Sequence, residues 1–245
     1  MDVAAATIAA PGRRNEDCFA AGPDWAFVLD GATAPPGVDS GCAHDVVWLV
    51  RQLGGALAGL LTSSEAPLAE VLAEAVERTR AAHPGCDLSN PSSPSSTVTM
   101  LRVRERAEYL VLADSPLVLD TGAEVRAVVD DRLDHLPSYT QEAVRDLRNH
   151  PEGFWVASTD PEAAHQAVRG AVPSLHRAAL LTDGASRYVE HFHRTDWPGL
   201  LDLLSTRGPD ELLVRVRQAE TAEPPPPRAK PHDDATALVV RAARP

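Results

Sequence analysis

Four aspartates in this 245-residue chain stand where a hydrophobic run ends or begins. Asp30 follows Phe27-Val28-Leu29 and precedes Gly31, and Asp114 follows Leu110-Val111-Leu112-Ala113. Asp183 lies between Leu180-Leu181-Thr182 and Gly184, and Asp233 precedes Asp234-Ala235-Thr236. Glu16-Asp17 adds an acidic pair within Asn15-Glu16-Asp17-Cys18-Phe19. Strand ends are rigid and open onto the rim of a sheet, so carboxylates placed there can converge on one point. Converging carboxylates repel unless a divalent cation holds them, and hard oxygen donors suit Mg²⁺ or Mn²⁺. The pattern points to a metal-dependent hydrolase.

The composition narrows the partners. Hydrophobic residues make up 44% of the chain, enough for a substantial core, but aromatics only 4%, so Ala, Val and Leu must build it. A formal net charge of −12 argues against nucleic acid or an anionic membrane as the main partner. The three cysteines, Cys18, Cys42 and Cys86, are odd in number and share no close spacing. They suggest neither a disulfide framework nor a zinc site, and favour a reducing cytoplasm. None is followed six residues later by arginine, so a cysteine-nucleophile phosphate loop is not expected. Asp2 stands where a signal peptide needs a basic start. The apolar stretch 46–61 is interrupted by Arg51-Gln52 and reads as too short to span a bilayer. Lys230 is the only lysine among 23 basic residues, a bias expected of a GC-rich bacterial genome.

Elements able to position these acids can be read from periodicity. Residues 3–10 and 18–29 read as strands, with turns at Pro11-Gly12 and near Gly22-Pro23-Asp24. Helical spacing runs from about Asp39 to Leu61 and again from Ala66 to about Ala82. Strands follow at 97–103, 107–113 and 117–119, then a turn at Asp120-Thr121-Gly122 and a strand at 125–129. Residues 138–150 and 161–170 read as weak helices, 178–182 as a buried strand, and 197–205 and 209–220 as helices. Glu223-Pro224-Pro225-Pro226-Pro227 reads as a stiff connection, because the lone strand after it, 235–240, must return to the main sheet. This order suits an α+β architecture of two packed sheets flanked by helix pairs.

In order and context, these pieces resemble the metal-dependent (type 2C, PPM family) serine/threonine protein phosphatases. The segments concerned are Asn15-Glu16-Asp17, Val28-Leu29-Asp30-Gly31, Ser95-Ser96-Thr97-Val98-Thr99, Ala113-Asp114-Ser115, Asp131-Arg132-Leu133-Asp134-His135, Leu181-Thr182-Asp183-Gly184 and Asp233-Asp234-Ala235-Thr236. The resemblance spans roughly residues 3 to 241. It implies one domain over residues 1–245, with a four-layer α-β-β-α sandwich of mainly antiparallel sheets. It also implies two Mn²⁺ or Mg²⁺ ions, with Asp30 bridging them and the Gly31 carbonyl on one. Asp183 and Asp233 would complete the other set, while Glu16 and Asp17 would hold metal-associated waters. A cation pair of this kind activates water and needs no protein nucleophile.

Departures from the family pattern concern catalysis. Gly12 stands where the family carries a phosphate-gripping arginine, leaving Arg13 and Arg14 as candidates for that role. Ala32 replaces a histidine suited to protonating the leaving group, and Pro116 replaces an arginine. Arg187 stands where an aspartate would help bind a third metal, so only half of that site, Asp114, is kept. The expected substrate is a phosphoprotein, with phosphoserine or phosphothreonine. The alternatives are a small phosphorylated metabolite, favoured by the unusual loop Ala32-Thr33-Ala34-Pro35-Pro36-Gly37, and a phosphatase-like binding module without strong catalysis. A monomer is the default expectation. Asp130-Asp131 reads as a solvated turn, His191-x-His193 as a pair diverging on a helix, and Cys42 and Cys86 as small residues without a role.

Overall fold

The computed structural model describes residues 1–34, 37–223 and 230–242. Pro35, Pro36 and Pro224 to Pro227, in the two proline-bearing stretches read above, lie outside the described residues. Side chains alternate across a strand, so a strand buried on both faces feeds two cores. In β3 (Trp25–Leu29) all five residues are buried. Trp25, Phe27 and Leu29 join one hydrophobic cluster, while Ala26 and Val28 join another.

The first five-stranded sheet runs β10 (Val168–Val172), β7 (Ala107–Leu112), β6 (Val98–Val103), β3, β2 (Cys18–Ala21). The second runs β1 (Asp2–Ile8), β12 (Ala235–Arg241), β11 (Arg177–Leu181), β8 (Leu117–Asp120), β9 (Val125–Val128). All neighbouring strands are antiparallel. A two-stranded ladder of β4 (Gly31–Ala32) and β5 (Ser95–Ser96) continues from the rim of the first sheet.

Three cores separate four layers. α1 (Val46–Ser63) and α2 (Leu68–Ala81) pack Val50, Leu53, Leu57 and Leu72 on Phe27, Leu29 and Met100 of the first sheet. Between the sheets, Val28, Leu101 and Val111 meet Leu117, Leu180 and Leu238. α4 (Asp183–Glu190), α5 (Trp197–Arg207) and α6 (Pro209–Ala222) cover the outer face of the second sheet through Ala185, Leu200, Leu204, Leu212 and Val216. This is the α-β-β-α sandwich of an α+β protein. Leu57 is fully buried, and replacing such a leucine with alanine typically costs about 2–5 kcal/mol.

Several element limits differ from the sequence expectation. α1 begins at Val46 rather than near residue 39, because Asp45 caps it, its carboxylate accepting from the Trp48 N–H at 2.8 Å. By length and composition α1 could cross a membrane, with a mean hydropathy of 1.3 over 18 residues. Half of it is nevertheless packed in the protein core. The helix expected at 161–170 is a short 3₁₀ segment, Pro161–Gln166, followed by the edge strand β10. Within 138–150 only α3 (Gln141–Leu147) is α-helical. Asp130 is no solvated turn residue. It is 3% exposed, accepts from the Ala113 N–H at 3.0 Å, and pairs with Arg132 at 2.5 Å.

Candidate metal centre

Five aspartates from five separate segments lie at one rim of the sandwich, close enough that the charges of Asp183, Asp17, Asp114 and Asp233 all act on Asp30, although no three of their oxygens lie within 4.8 Å of one another. Asp30 sits between β3 and β4, where its backbone N–H donates to Thr97 Oγ1 and its carbonyl accepts from the Thr97 N–H at 2.9 Å. Thr97 Oγ1 also shares a 2.6 Å hydrogen bond with Ser115 Oγ, next to Asp114. The Ser-Ser-Thr segment therefore fixes two of the acids at once. Asp183 opens α4, and its N–H lies 3.4 Å from Asp30 Oδ2, so a helix N-terminus faces that carboxylate. Asp233 precedes β12 and is only 15% exposed in its side chain.

Asp17 is locked from both neighbouring segments. Its Oδ2 accepts from Thr236 Oγ1 at 2.6 Å and from Thr182 Oγ1 at 3.0 Å. Behind Thr236, Thr7 Oγ1 lies at 2.7 Å and itself accepts from Asn15 Nδ2. The Asn15 side-chain oxygen in turn accepts the Asp17 N–H at 3.0 Å. Asp17 Oδ1, by contrast, is buried without any hydrogen-bond partner.

Burial and mutual repulsion act together on the titration of these acids. Burial first, then the charges of Asp183, Asp17, Asp114 and Asp233, push Asp30 well above the usual carboxylate range. Asp17 is pushed up to about 7, chiefly by burial, with the two threonine hydroxyls opposing and Asp183 and Asp234 adding. Asp114 is also pushed up to about 7, by burial and then Asp183, with Asp134 and Glu190 adding. Asp233 is raised by burial and Asp183, and Lys230 opposes. A buried oxygen without a donor, among carboxylates that resist ionisation, is what a hard divalent cation would satisfy. The donor set, all oxygen, fits Mg²⁺ or Mn²⁺.

The other expected residues are less uniform. Glu16 lies beside this cluster and accepts from Thr33 Oγ1 at 2.9 Å. Gly31 is tightly enclosed, since a Cβ there would come within 2.5 Å of the Glu16 carbonyl. Arg13 and Arg14 are both exposed, and Arg14 is committed to Asp45 at 2.6 Å. Their turn, Ala10-Pro11-Gly12-Arg13, is closed by the Arg13 N–H on the Ala10 carbonyl with Gly12 at φ +74°. A proline then a left-handed glycine suit such a turn. His191 and His193 do not form a ligand pair; the latter's Nδ1 lies 3.1 Å from the Val189 carbonyl.

Arg187 does not turn toward Asp114. Its guanidinium pairs with the fully buried carboxylate of Glu220 at 2.7 Å and reaches Asp233 at 3.6 Å. Several residues of the site were not singled out from sequence. Asp234 is a tether, accepting the N–H groups of Ala10 and Glu16 at 2.7 Å each. Thr182 and Thr236 are the donors to Asp17, and their only sequence signal was adjacency to the aspartates. Lys230 places its ammonium 3.0 Å from Asp233; burial works to lower its pKa, but Asp233, then Asp183 and Asp30, outweigh this and raise it.

The family model described as Protein phosphatase 2C matches residues 9–216. The chain belongs to that family. Among solved structures, the PPM Ser-Thr phosphatase MsPP from Mycobacterium smegmatis, in complex with cacodylate, is 17% identical with a TM-score of 0.62, covering 99% of each chain. The Mycobacterium tuberculosis serine/threonine phosphatase PstP/Ppp is 19% identical with a TM-score of 0.61, covering 97% of each. Another PstP structure, of the catalytic domain, holds 2 manganese ions (19% identity, TM-score 0.61, 97% of this chain and 96% of that one). Stp1 from Staphylococcus aureus is 12% identical with a TM-score of 0.64, covering 99% of this chain and 95% of its own. No curated protein matches the chain.

Proposed function

We propose that this protein is a Mn²⁺- or Mg²⁺-dependent phosphomonoester hydrolase acting on phosphoserine or phosphothreonine in proteins, as a single-domain monomer in a bacterial cytoplasm. The observation that carries the reading is the convergence of Asp17, Asp30, Asp114, Asp183 and Asp233, with the Asp17 Oδ1 buried and unpartnered. Asp30, the Gly31 carbonyl, Asp183 and Asp233 would hold two cations, with Glu16 and Asp17 behind them. When bound, the cations supply Lewis acidity toward phosphoryl oxygens and activation of a water.

The chain's own residues do the positioning. Thr97 fixes Asp30, Thr182 and Thr236 fix Asp17, and Asp234 draws the opening loop onto β12. Of the two arginines on the exposed turn before Glu16, Arg13 is the candidate for meeting a phosphate, because Arg14 is paired with Asp45. With Arg187 paired to Glu220, we infer two ions rather than three. The experiment is hydrolysis of para-nitrophenyl phosphate with Mn²⁺, with and without EDTA, followed by phosphopeptides against a panel of phosphometabolites. Metal-dependent turnover that prefers peptides supports the reading, and indifference to peptides would move the substrate to a metabolite.

One observation favours a second reading, a binding module with weak catalysis. Two cationic side chains, Lys230 and Arg187, approach Asp233, a carboxylate the cations would need. Absence of turnover on every phosphoester in saturating Mn²⁺ would select it.

A further inference from the structure

We propose that Cys42, His44 and Cys86 form a second metal site, distinct from the carboxylate centre and selective for a thiophilic cation of the Zn²⁺ type. The fold brings these residues together although 44 positions separate the two cysteines. α1 and α2 are joined by a short link, residues 64–67, and run as a hairpin. The segment before α1 and the segment after α2 therefore meet at the same end. Cys42 and His44 lie on the first, Cys86 on the second.

The three donor atoms form a nearly regular triangle. Cys42 Sγ lies 3.4 Å from Cys86 Sγ, and His44 Nδ1 lies 3.7 Å from the first and 3.5 Å from the second. A tetrahedral zinc ion with Zn–S of about 2.3 Å and Zn–N of about 2.0–2.1 Å sets its ligand atoms roughly 3.5–3.8 Å apart. Among the described residues this is the one set of three potential His, Cys, Asp or Glu donors with all three atoms within 4.8 Å of each other. The three residues are all half-buried, so an ion can enter.

The surroundings hold these donors in place. The His44 backbone N–H donates to Cys42 Sγ at 3.3 Å, the kind of support that fixes a thiolate ligand. The His44 ring stacks on Trp48 at 4.0 Å between centroids and meets the edge of His83 at 5.2 Å. The Asp87 N–H donates to the Gly41 carbonyl at 2.8 Å, and Asn90 Nδ2 to the Asp39 carbonyl at 3.1 Å, so the two segments are already laced together. Two thiolates and an imidazole leave a fourth position to water. Soft sulfur donors discriminate against Mg²⁺ and Mn²⁺, so the two centres take different metals. The ion would pin the ends of the α1–α2 hairpin three residues before Asp45, the residue that caps α1 and holds Arg14.

The test is Co²⁺ titration of the full-length protein under reducing conditions, read as thiolate-to-metal charge-transfer absorption and tetrahedral d–d bands, alongside zinc content after gel filtration. The expected result is one equivalent of zinc, and a Co²⁺–thiolate signal lost in Cys42→Ser and in Cys86→Ser but kept in Cys18→Ser and Asp30→Asn. Should a cysteine variant fail to fold, the wild-type titration decides by itself. No thiolate-to-Co²⁺ absorption in wild type would overturn the proposal. So would a Cys42–Cys86 disulfide, seen as a 2 Da mass deficit, in protein that takes up no zinc after reduction.

Discussion

Thr236 Oγ1 reaches across 219 residues of chain to donate to Asp17 Oδ2 at 2.6 Å. The last strand thus orients an acid from the opening loop, and Thr182, which follows β11 and caps α4, does the same from the other side. Replacing Thr236 with valine keeps its shape and removes the donor. Asp17 Oδ2 would keep its Thr182 donor, and the loss of one such hydrogen bond costs about 0.5–1.5 kcal/mol. Thr236→Val should lose that much in urea unfolding, and Thr182→Val, with the longer bond, should lose less. Equal stability of both variants with wild type would mean that Asp17 is not held as described.

The raised carboxylates give the metal-free protein a particular pH dependence. Asp17 and Asp114 titrate near 7 when folded, against an ordinary value of 3.8, so the folded chain binds more protons than the unfolded chain between these limits. Stability contributed by their neutral forms is complete below about 4 and is lost as pH rises toward and through 7. In EDTA, the melting temperature should therefore fall from pH 5 to pH 8. Added Mn²⁺ favours the ionised forms and should reverse that slope. A melting temperature that climbs over this range in EDTA would contradict the burial of these acids.

Gly184 admits no side chain, because a Cβ would sit 1.9 Å from the Asp234 carbonyl. Gly184→Ala must push the start of α4, and with it Asp183, away from β12. Displacements on the order of 1 Å at a reacting centre can cost roughly 10²-fold in rate. A loss of that order in kcat, measured with para-nitrophenyl phosphate, is expected. Unchanged turnover would show that α4 does not set the position of Asp183.

Lys230 competes with a cation for Asp233. Unit charges a few ångströms apart interact by several kcal/mol at low effective dielectric, and much less when solvent screens them. Lys230→Ala should tighten Mn²⁺ binding by roughly tenfold in calorimetric titration, an order set by the partly screened end of that range. Weaker binding would make Lys230 a support of the site instead.

Much of this was legible in the sequence because it is local. Residues 18–29 read as strands, and Asp30 marks their end. The same holds for Leu180-Leu181 before Asp183. What could not be read depends on which way a side chain turns. Asp233 and Asp234 are identical in type, yet one faces the acidic cluster and the other ties down Ala10 and Glu16. Asp130 reads as a turn residue, but the left-handed backbone of Ala113, φ +67°, aims an N–H at it. Glycine adopts such a conformation more readily than alanine. Arg187 sits where the resemblance puts a third ion's ligand, but Glu220, 33 residues away, decides its direction. Cys42 and Cys86 read as inert because only the packing of α1 on α2 joins them. The strand β10 reads as helix because its edge position exposes Val168 and Arg169, hiding the alternation.

The central claim is that carboxylates from five segments gather around divalent cations. Anomalous diffraction at the manganese edge, from crystals grown with Mn²⁺, tests it most directly. Peaks enclosed by Asp30, Asp183 and Asp233, with Asp17 behind them, are expected, and should vanish in Asp30→Asn. Saturating manganese with no peak among these side chains would contradict it.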